Sequence, residues 1–234
     1  TDSCNLYAKR REFVFFIERE LPIYDEVFSF SQVSADFFRQ TRQLNASYLP
    51  FAALPVVCPA FTEPAIDVLF VGSGDLRRIL LLEKIKEHVA IFGNRWQRNF
   101  ALISPDLQSR ISDTPVWGQE LHALFARAKI VLNITRSDFF GAGTGINLRV
   151  FEATAAGAFL LTDYCDELDE LFVVGEEIET FRSAAELAEK VDYYLQHEDQ
   201  RRAIAQRGQQ RFLAEHTWAA RTVRLIRPNE SSAR

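Results

Sequence analysis

The stretch Gly141–Asp163, GAGTGINLRVFEATAAGAFLLTD, decides how the chain is read. Gly141, Gly143 and Gly145 stand close together, and glycine lets a backbone turn tightly and approach a ligand closely. The apolar spacing of the next residues predicts a helix over Asn147–Ala156, with Gly157 suited to end it. Ala158–Thr162 then reads as a buried strand. Upstream, Lys129–Ile134 (KIVLNI) is another apolar strand, so the segment reads strand, glycine loop, helix, strand. A helix N-terminus behind a glycine loop presents unpaired N–H groups and the positive end of a dipole, which together attract phosphate. Arg149 falls in the first turn of that helix and Glu152 three residues on, on roughly the same face. The cation suits a diphosphate and the carboxylate suits ribose hydroxyls. The other reading is that the two side chains only pair with each other on an ordinary surface helix.

The same rhythm extends on both sides. Asp67–Val71 and Val89–Phe92 read as strands, with a helix over Leu76–His88 between them, and Phe100–Ser104 as a further strand. Gln119–Ala128 reads as a helix with Leu121, Leu124 and Phe125 on one face. Three helices close the chain, over Ala184–Gln196, Asp199–Glu215 and Trp218–Ile226. Short apolar strands alternating with amphipathic helices predict an α/β, Rossmann-like parallel sheet with helices on both faces. Such sheets bind ligands at the carboxyl ends of their strands.

Toward the N-terminus the pattern changes. Phe13, Phe16, Ile17 and Leu21 recur at helical spacing, Tyr24–Phe30 alternates as a strand, Ser34–Thr41 is a short helix capped by Ser34, and Ala46–Phe51 is a short strand. Pro50, Pro55, Pro59 and Pro64 then crowd one segment; proline lacks a backbone donor, so this reads as a connection. The expected organisation is a partial N-terminal α/β segment over 1–58, a linker over 59–65, a Rossmann-like domain over 66–220, and the end of the last helix with a tail over 221–234.

Composition bounds the function. The 234 residues are 47% hydrophobic and 25% charged, enough to bury a large core. A net charge of −5 argues against nucleic acid as a partner, since phosphate neutralisation needs a clustered basic surface. Cys4, Cys58 and Cys165 are far apart, without zinc or disulfide spacing, which suits a reducing compartment, so a cytoplasmic location is expected. No apolar run reaches transmembrane length. None of the four histidines has a partner at ligand spacing, so no metal is expected.

Two glycine motifs compete for the ligand. Gly141, Gly143 and Gly145 resemble the dinucleotide fingerprint, but Ile146 stands where its third glycine belongs, and TRSDFF separates strand from glycine where a tight turn is needed. An NAD-linked enzyme therefore remains the third alternative. Gly72 and Gly74 lie between the strand DVLFV and a helix carrying Arg77 and Arg78. Either arginine could reach a diphosphate across the cleft, or both could belong to a solvated helix face.

The segment NLRVFEATAAGAFLLTD, preceded in order by YLPFAAL, DVLFVGSGDLRR and WGQELHALFARAKIVLNI, resembles the spore-maturation (CgeB-type) glycosyltransferase family over about residues 24–226. That family is similar to GT-B glycosyltransferases, which have two Rossmann-like domains facing across a cleft. The resemblance implies that residues 66–220 bind the donor, a nucleoside-diphosphate sugar of UDP, GDP or dTDP type, with no tightly bound cofactor and no metal. It implies that 1–58 belongs to an acceptor-side domain, whose remainder would come from a partner or an absent segment. Carried over residue by residue, Glu152 matches the ribose-binding second carboxylate of an E-x7-E pattern. Asn147, Leu148 and Arg149 fall where the diphosphate is held, with Gly72, Gly74, Gly143 and Gly145 in the surrounding loops. Arg78 matches the basic residue after the first donor-domain strand, while Trp117 and Leu121 lie near the base. Arg149 and Arg78 would stabilise the leaving diphosphate. Thr144 departs from the pattern, which has its first Glu there to touch the transferred sugar. A general base would come from the acceptor side, with Asp2 and Asp25 the candidates in this chain. The expected activity is sugar transfer to an unidentified glycan, protein or small molecule; the alternative is a non-catalytic nucleotide-binding or scaffold module.

Overall fold

The computed structural model describes residues 14–56, 65–144 and 146–226. Its centre is a six-stranded, wholly parallel sheet formed by β3 (Ile66–Val71), β4 (Val89–Phe92), β5 (Ile111–Ser112), β6 (Ala128–Asn133), β7 (Leu160–Asp163) and β8 (Glu179–Phe181), in the order β5-β4-β3-β6-β7-β8. The chain enters at β3, winds outward through β4 and β5, then returns to add β6 on the other side. The strand order thus reverses between β3 and β6, leaving a crevice outside their carboxyl ends.

Successive side chains of a strand point to opposite faces. In β3, Val68 and Phe70 join one core layer, with Ile79 and Leu82 of helix α2 (Leu76–Leu82) and Leu187 and Val191 of α5 (Ala184–Gln196). Leu69 faces the other layer, with Phe125 of α3 (Gly118–Ala126), Phe151 of α4 (Leu148–Ala155) and Phe212 of α6 (Glu198–Glu215). Buried on both faces, such strands are near-continuous apolar runs, which is why β3 and β6 were legible.

The N-terminal segment adds a second, two-stranded parallel sheet, β1 (Val27–Ser29) beside β2 (Ala46–Tyr48), joined by α1 (Gln32–Arg42). The last helix, α7 (Trp218–Ile226), begins against this segment: Ala53 N–H donates to His216 O, and Trp218 N–H to Ala53 O. His216 is 1% exposed; its Nε2 lies 2.8 Å from Leu171 O, and its Nδ1 2.7 Å from Arg221.

The structure corrects several expectations. Residues 97–102 form a 3-10 helix, so Phe100–Ser104 is not a strand; the fifth strand is instead Ile111–Ser112, too short to show a period. The helix after β1 is capped by Ser31, whose hydroxyl accepts from Ser34 N–H; Ser34 lies inside it. The helix after β3 ends at Leu82 and tightens into a 3-10 turn over Glu83–Ile85. Strand β8 was not foreseen, because ETF carries two polar residues and only three positions. Phe13, Cys4, Cys58, Asp2, Pro59, Pro64 and the proposed linker through residue 64 lie outside the described residues.

Candidate functional site

Three adjoining clefts lie at the carboxyl edge of the sheet. The first, of about 460 Å³, sits over the β3/β6 crevice and is lined by Gly72, Ser73 and Arg78 after β3, by Asn133 at the end of β6 and Thr135, Arg136 and Phe139 after it, and by Thr144 and Ile146–Arg149 with Glu152 around the start of α4. Phe30 and Phe51 of the N-terminal segment cover it, stacked on each other with ring centres 4.5 Å apart. The second, of about 490 Å³, lies between residues 52–56, Gly118, Gln119, His122 and Trp218, and shares Leu148 and Glu152 with the first. The third, of about 220 Å³, shares Thr135 and Thr144 with the first and is bounded by Gly143, Tyr164, Cys165, Asp166 and Arg182. The clefts therefore form one run, with the N-terminus of α4 at its middle.

Asn147 shapes that N-terminus. Its Oδ1 accepts from Arg149 N–H at 2.9 Å, the side-chain cap a helix start needs. Its Nδ2 donates to Asn133 Oδ1 at 3.0 Å, and Asn133 Nδ2 donates to Thr162 Oγ1 at 2.9 Å. The cap is thus oriented by the ends of β6 and β7. Gly157, with φ +68°, ends the helix as expected.

Arg149 and Glu152 do pair, Nη1 to Oε2 at 2.7 Å, and both line the first cleft. Burial drives the Arg149 pKa down, opposed by the charge of Glu152. Its Nε is buried and has no hydrogen-bond partner among the described residues. An unpaired buried donor on a cation is costly unless an anion satisfies it.

Arg78 is 8% exposed, and burial brings its pKa down to about 10, so it stays charged at neutral pH. Nε and Nη2 donate to Ile134 O at 2.9 and 2.7 Å, and Nη1 donates to Ser73 O at 2.9 Å. The guanidinium ties the loops after β3 and β6 together beneath the cleft. Arg77 is not a solvated face residue. It donates to Asp163 Oδ2 at 2.6 Å and to Thr135 O at 2.9 Å, and its guanidinium lies over the Phe140 ring. Asp163 also accepts from Thr135 N–H and Oγ1–H, which holds the loop after β6 in place.

Among the sequence-derived residues, Gly72, Arg78, Thr144, Asn147, Leu148, Arg149 and Glu152 meet in the first cleft. Gly143 lines the third. Gly74 turns against the backbone of Arg95 and Trp96 and lines none of the three. Trp117 is 72% exposed, next to Gly118 of the second cleft. Leu121, 2% exposed, is buried in the core with Leu124 and Phe125 and lines none of the three clefts. Asp25 is exposed and lines none of the three clefts. Gly145 lies outside the described residues. Sequence reasoning missed Asn133, Thr135, Arg136 and Phe139. A polar Asn closing the apolar run KIVLN was a signal, since a buried amide needs a partner. Among the described residues, no group of three or more His, Cys, Asp or Glu could hold a metal, and no helix is long and apolar enough to cross a membrane.

A six-stranded parallel sheet with helices on both faces matches the fold of GT-B glycosyltransferases. The chain belongs to the glycosyl transferase-like family, whose model matches residues 77–227. Its fold is similar to sucrose-phosphate synthase from Thermosynechococcus elongatus (TM-score 0.64, 17% identity, 94% of this chain and 61% of that one). It is also similar to HepE from Anabaena, solved with UDP and glucose (0.68, 12%, 97% and 66%). A glycosyltransferase from Rickettsia africae matches likewise (0.67, 10%, 93% and 66%). The chain thus spans less than two thirds of each of these proteins. No curated protein matches the sequence significantly.

Proposed function

We propose that this chain binds a nucleoside-diphosphate sugar along the three clefts and takes part in transferring the sugar to an acceptor hydroxyl. The observation that carries the reading is the N-terminus of α4 opening into the first cleft beside Arg149, whose buried Nε lacks a partner, with Arg78 below. Helix N–H groups and two guanidinium charges suit a diphosphate. Glu152, shared with the second cleft, would take the ribose hydroxyls, and the base would lie towards Gly118, His122 and Trp218. In transfer, the bond between the anomeric carbon and the diphosphate oxygen breaks. A new bond forms to the acceptor oxygen, and the acceptor proton passes to a base. Arg149 and Arg78 would stabilise the negative charge that accumulates on the departing diphosphate. Family membership and the UDP in the HepE structure support a donor of this class, of UDP, GDP or dTDP type. Within the family, the CgeB-type branch, the division into an acceptor-side segment over 1–58 and a donor domain over 66–220, and a cytoplasmic location remain parts of this proposal.

Calorimetric titration with UDP, GDP and dTDP, repeated on Glu152→Ala, tests it. Binding of one nucleotide, weakened about tenfold by the substitution, is expected from the loss of a hydrogen bond to a charged group. Absence of binding at millimolar concentration overturns the reading. A second reading, a nucleotide-binding module without transfer, is favoured by Thr144, which stands where the resemblance expects a carboxylate. Nucleotide binding without hydrolysis or transfer of any donor would select it.

A further inference from the structure

Glu152 and Leu148 join the first cleft to the second, while Thr144 and Thr135 join it to the third. A ligand with its diphosphate at the start of α4 and its ribose at Glu152 therefore extends its other end past Thr144. Thr144 is 3% exposed, and its hydroxyl donates to the Glu167 carboxylate, 3.2 Å from Oε1 and 3.1 Å from Oε2. Glu167 is itself 6% exposed, in the turn after β7, and its Oε1 also accepts from Gln32 N–H at 2.7 Å, at the start of α1. One buried carboxylate thus holds a cleft-wall hydroxyl and the helix of the N-terminal segment together.

We propose that Glu167 is a positioning residue for the transferred sugar, acting through Thr144. A hydroxyl that donates its only proton to a carboxylate keeps its lone pairs as acceptors, and the carboxylate makes them more basic. Thr144 Oγ1 then accepts from a hydroxyl of the sugar, and Glu167 fixes the orientation in which it does so. The substrate feature read here is a sugar hydroxyl on the far side of the diphosphate, which nucleosides and free nucleoside diphosphates lack. Because Gln32 N–H shares the same carboxylate, docking of α1 and the setting of the sugar pocket are one event.

This rests on the nucleotide-sugar reading, and the experiment separates the two. Affinities for UDP, GDP and dTDP, and for UDP-glucose, UDP-N-acetylglucosamine, GDP-mannose and dTDP-glucose, are measured by calorimetry on the wild-type chain and on Thr144→Val, Thr144→Ser and Glu167→Gln. The nucleotide sugar that binds should weaken about tenfold or more on Thr144→Val and Glu167→Gln, while its parent diphosphate changes less than twofold. Thr144→Ser should restore wild-type affinity, and the double variant should lose no more than either single one, as coupled residues do. Equal losses for sugar and parent diphosphate would make the pair merely structural and overturn the proposal. An unchanged affinity for every ligand would overturn it as well. If no nucleotide binds even the wild type, the failure belongs to the nucleotide-sugar reading. Should Glu167→Gln not fold, the comparison of Thr144→Val with Thr144→Ser decides alone.

Discussion

Replacing Arg149 by Gln removes a charge from the middle of the cleft run while keeping a side chain of similar reach. In the free protein the guanidinium touches Glu152 through Nη1 at 2.7 Å, lies 5.4 Å from the Phe125 ring centre, and holds an unpartnered Nε. If, as proposed, a diphosphate sits at the start of α4, the guanidinium of Arg149 would donate to it. Hydrogen bonds to charged groups contribute about 1.5–3 kcal/mol. At 1.4 kcal/mol per tenfold, the loss is about 10- to 150-fold in affinity. The assay is calorimetric titration of wild type and Arg149→Gln with the nucleoside diphosphate that binds, and with its parent nucleoside. Only the diphosphate should weaken. Arg149→Lys should fall between the two, because an ammonium keeps the charge but not the fork. Chemical denaturation should show little loss of stability in Arg149→Gln, since burial already disfavours the charged form. Equal weakening for nucleoside and diphosphate, or unchanged diphosphate affinity in a folded variant, would refute the assignment of Arg149 to the phosphates.

Other outcomes follow from the same geometry. Asp163→Asn removes a carboxylate with 2% side-chain exposure that holds Arg77 and the backbone of Thr135; breaking such a buried pair costs about 3–5 kcal/mol, to be read from urea denaturation midpoints. Gly93→Ala places a Cβ 2.0 Å from Gly72 O at φ +148°, so the chain after β4 must move, and thermal unfolding should fall by several degrees or soluble yield be lost. Cys165 has its thiol pushed up to about 12, mainly by burial and then by the charges of Glu167 and Asp163. A raised pKa keeps the reactive thiolate scarce below that value, so alkylation by iodoacetamide at pH 8 should run well over tenfold slower than in the urea-unfolded chain, and accelerate towards pH 12, as peptide mapping can follow.

How far the residues alone reach is clearest at α4. Its start, its end at Gly157 and the pairing of Arg149 with Glu152 all follow from local rules: a capping amide, a left-handed glycine, and neighbours three positions apart on one helix face. The 3.6-residue period set Leu121, Leu124 and Phe125 on one helix face, and all three are buried in one core layer; only the resemblance had set Leu121 near a base. Residue type and spacing did not separate Arg77 from Arg78; only the resemblance chose Arg78. One is taken by Asp163, more than eighty residues away, and the other by the carbonyl of Ile134.

The sequence by itself determined the parallel α/β architecture, since strands buried on both faces and helices buried on one leave periods that can be read residue by residue. It also determined where the helix after KIVLNI begins and ends, because a capping amide and a left-handed glycine are properties of neighbouring residues. Only the tertiary structure decided the strand order, and with it the reversal that sets the loops after β3 and β6 side by side. It alone brought Glu167 to Thr144 and the N-terminal segment over the cleft. Those contacts join residues distant along the chain, and they form only when the packing of two core layers closes the loops between them, a free energy that no local pattern records.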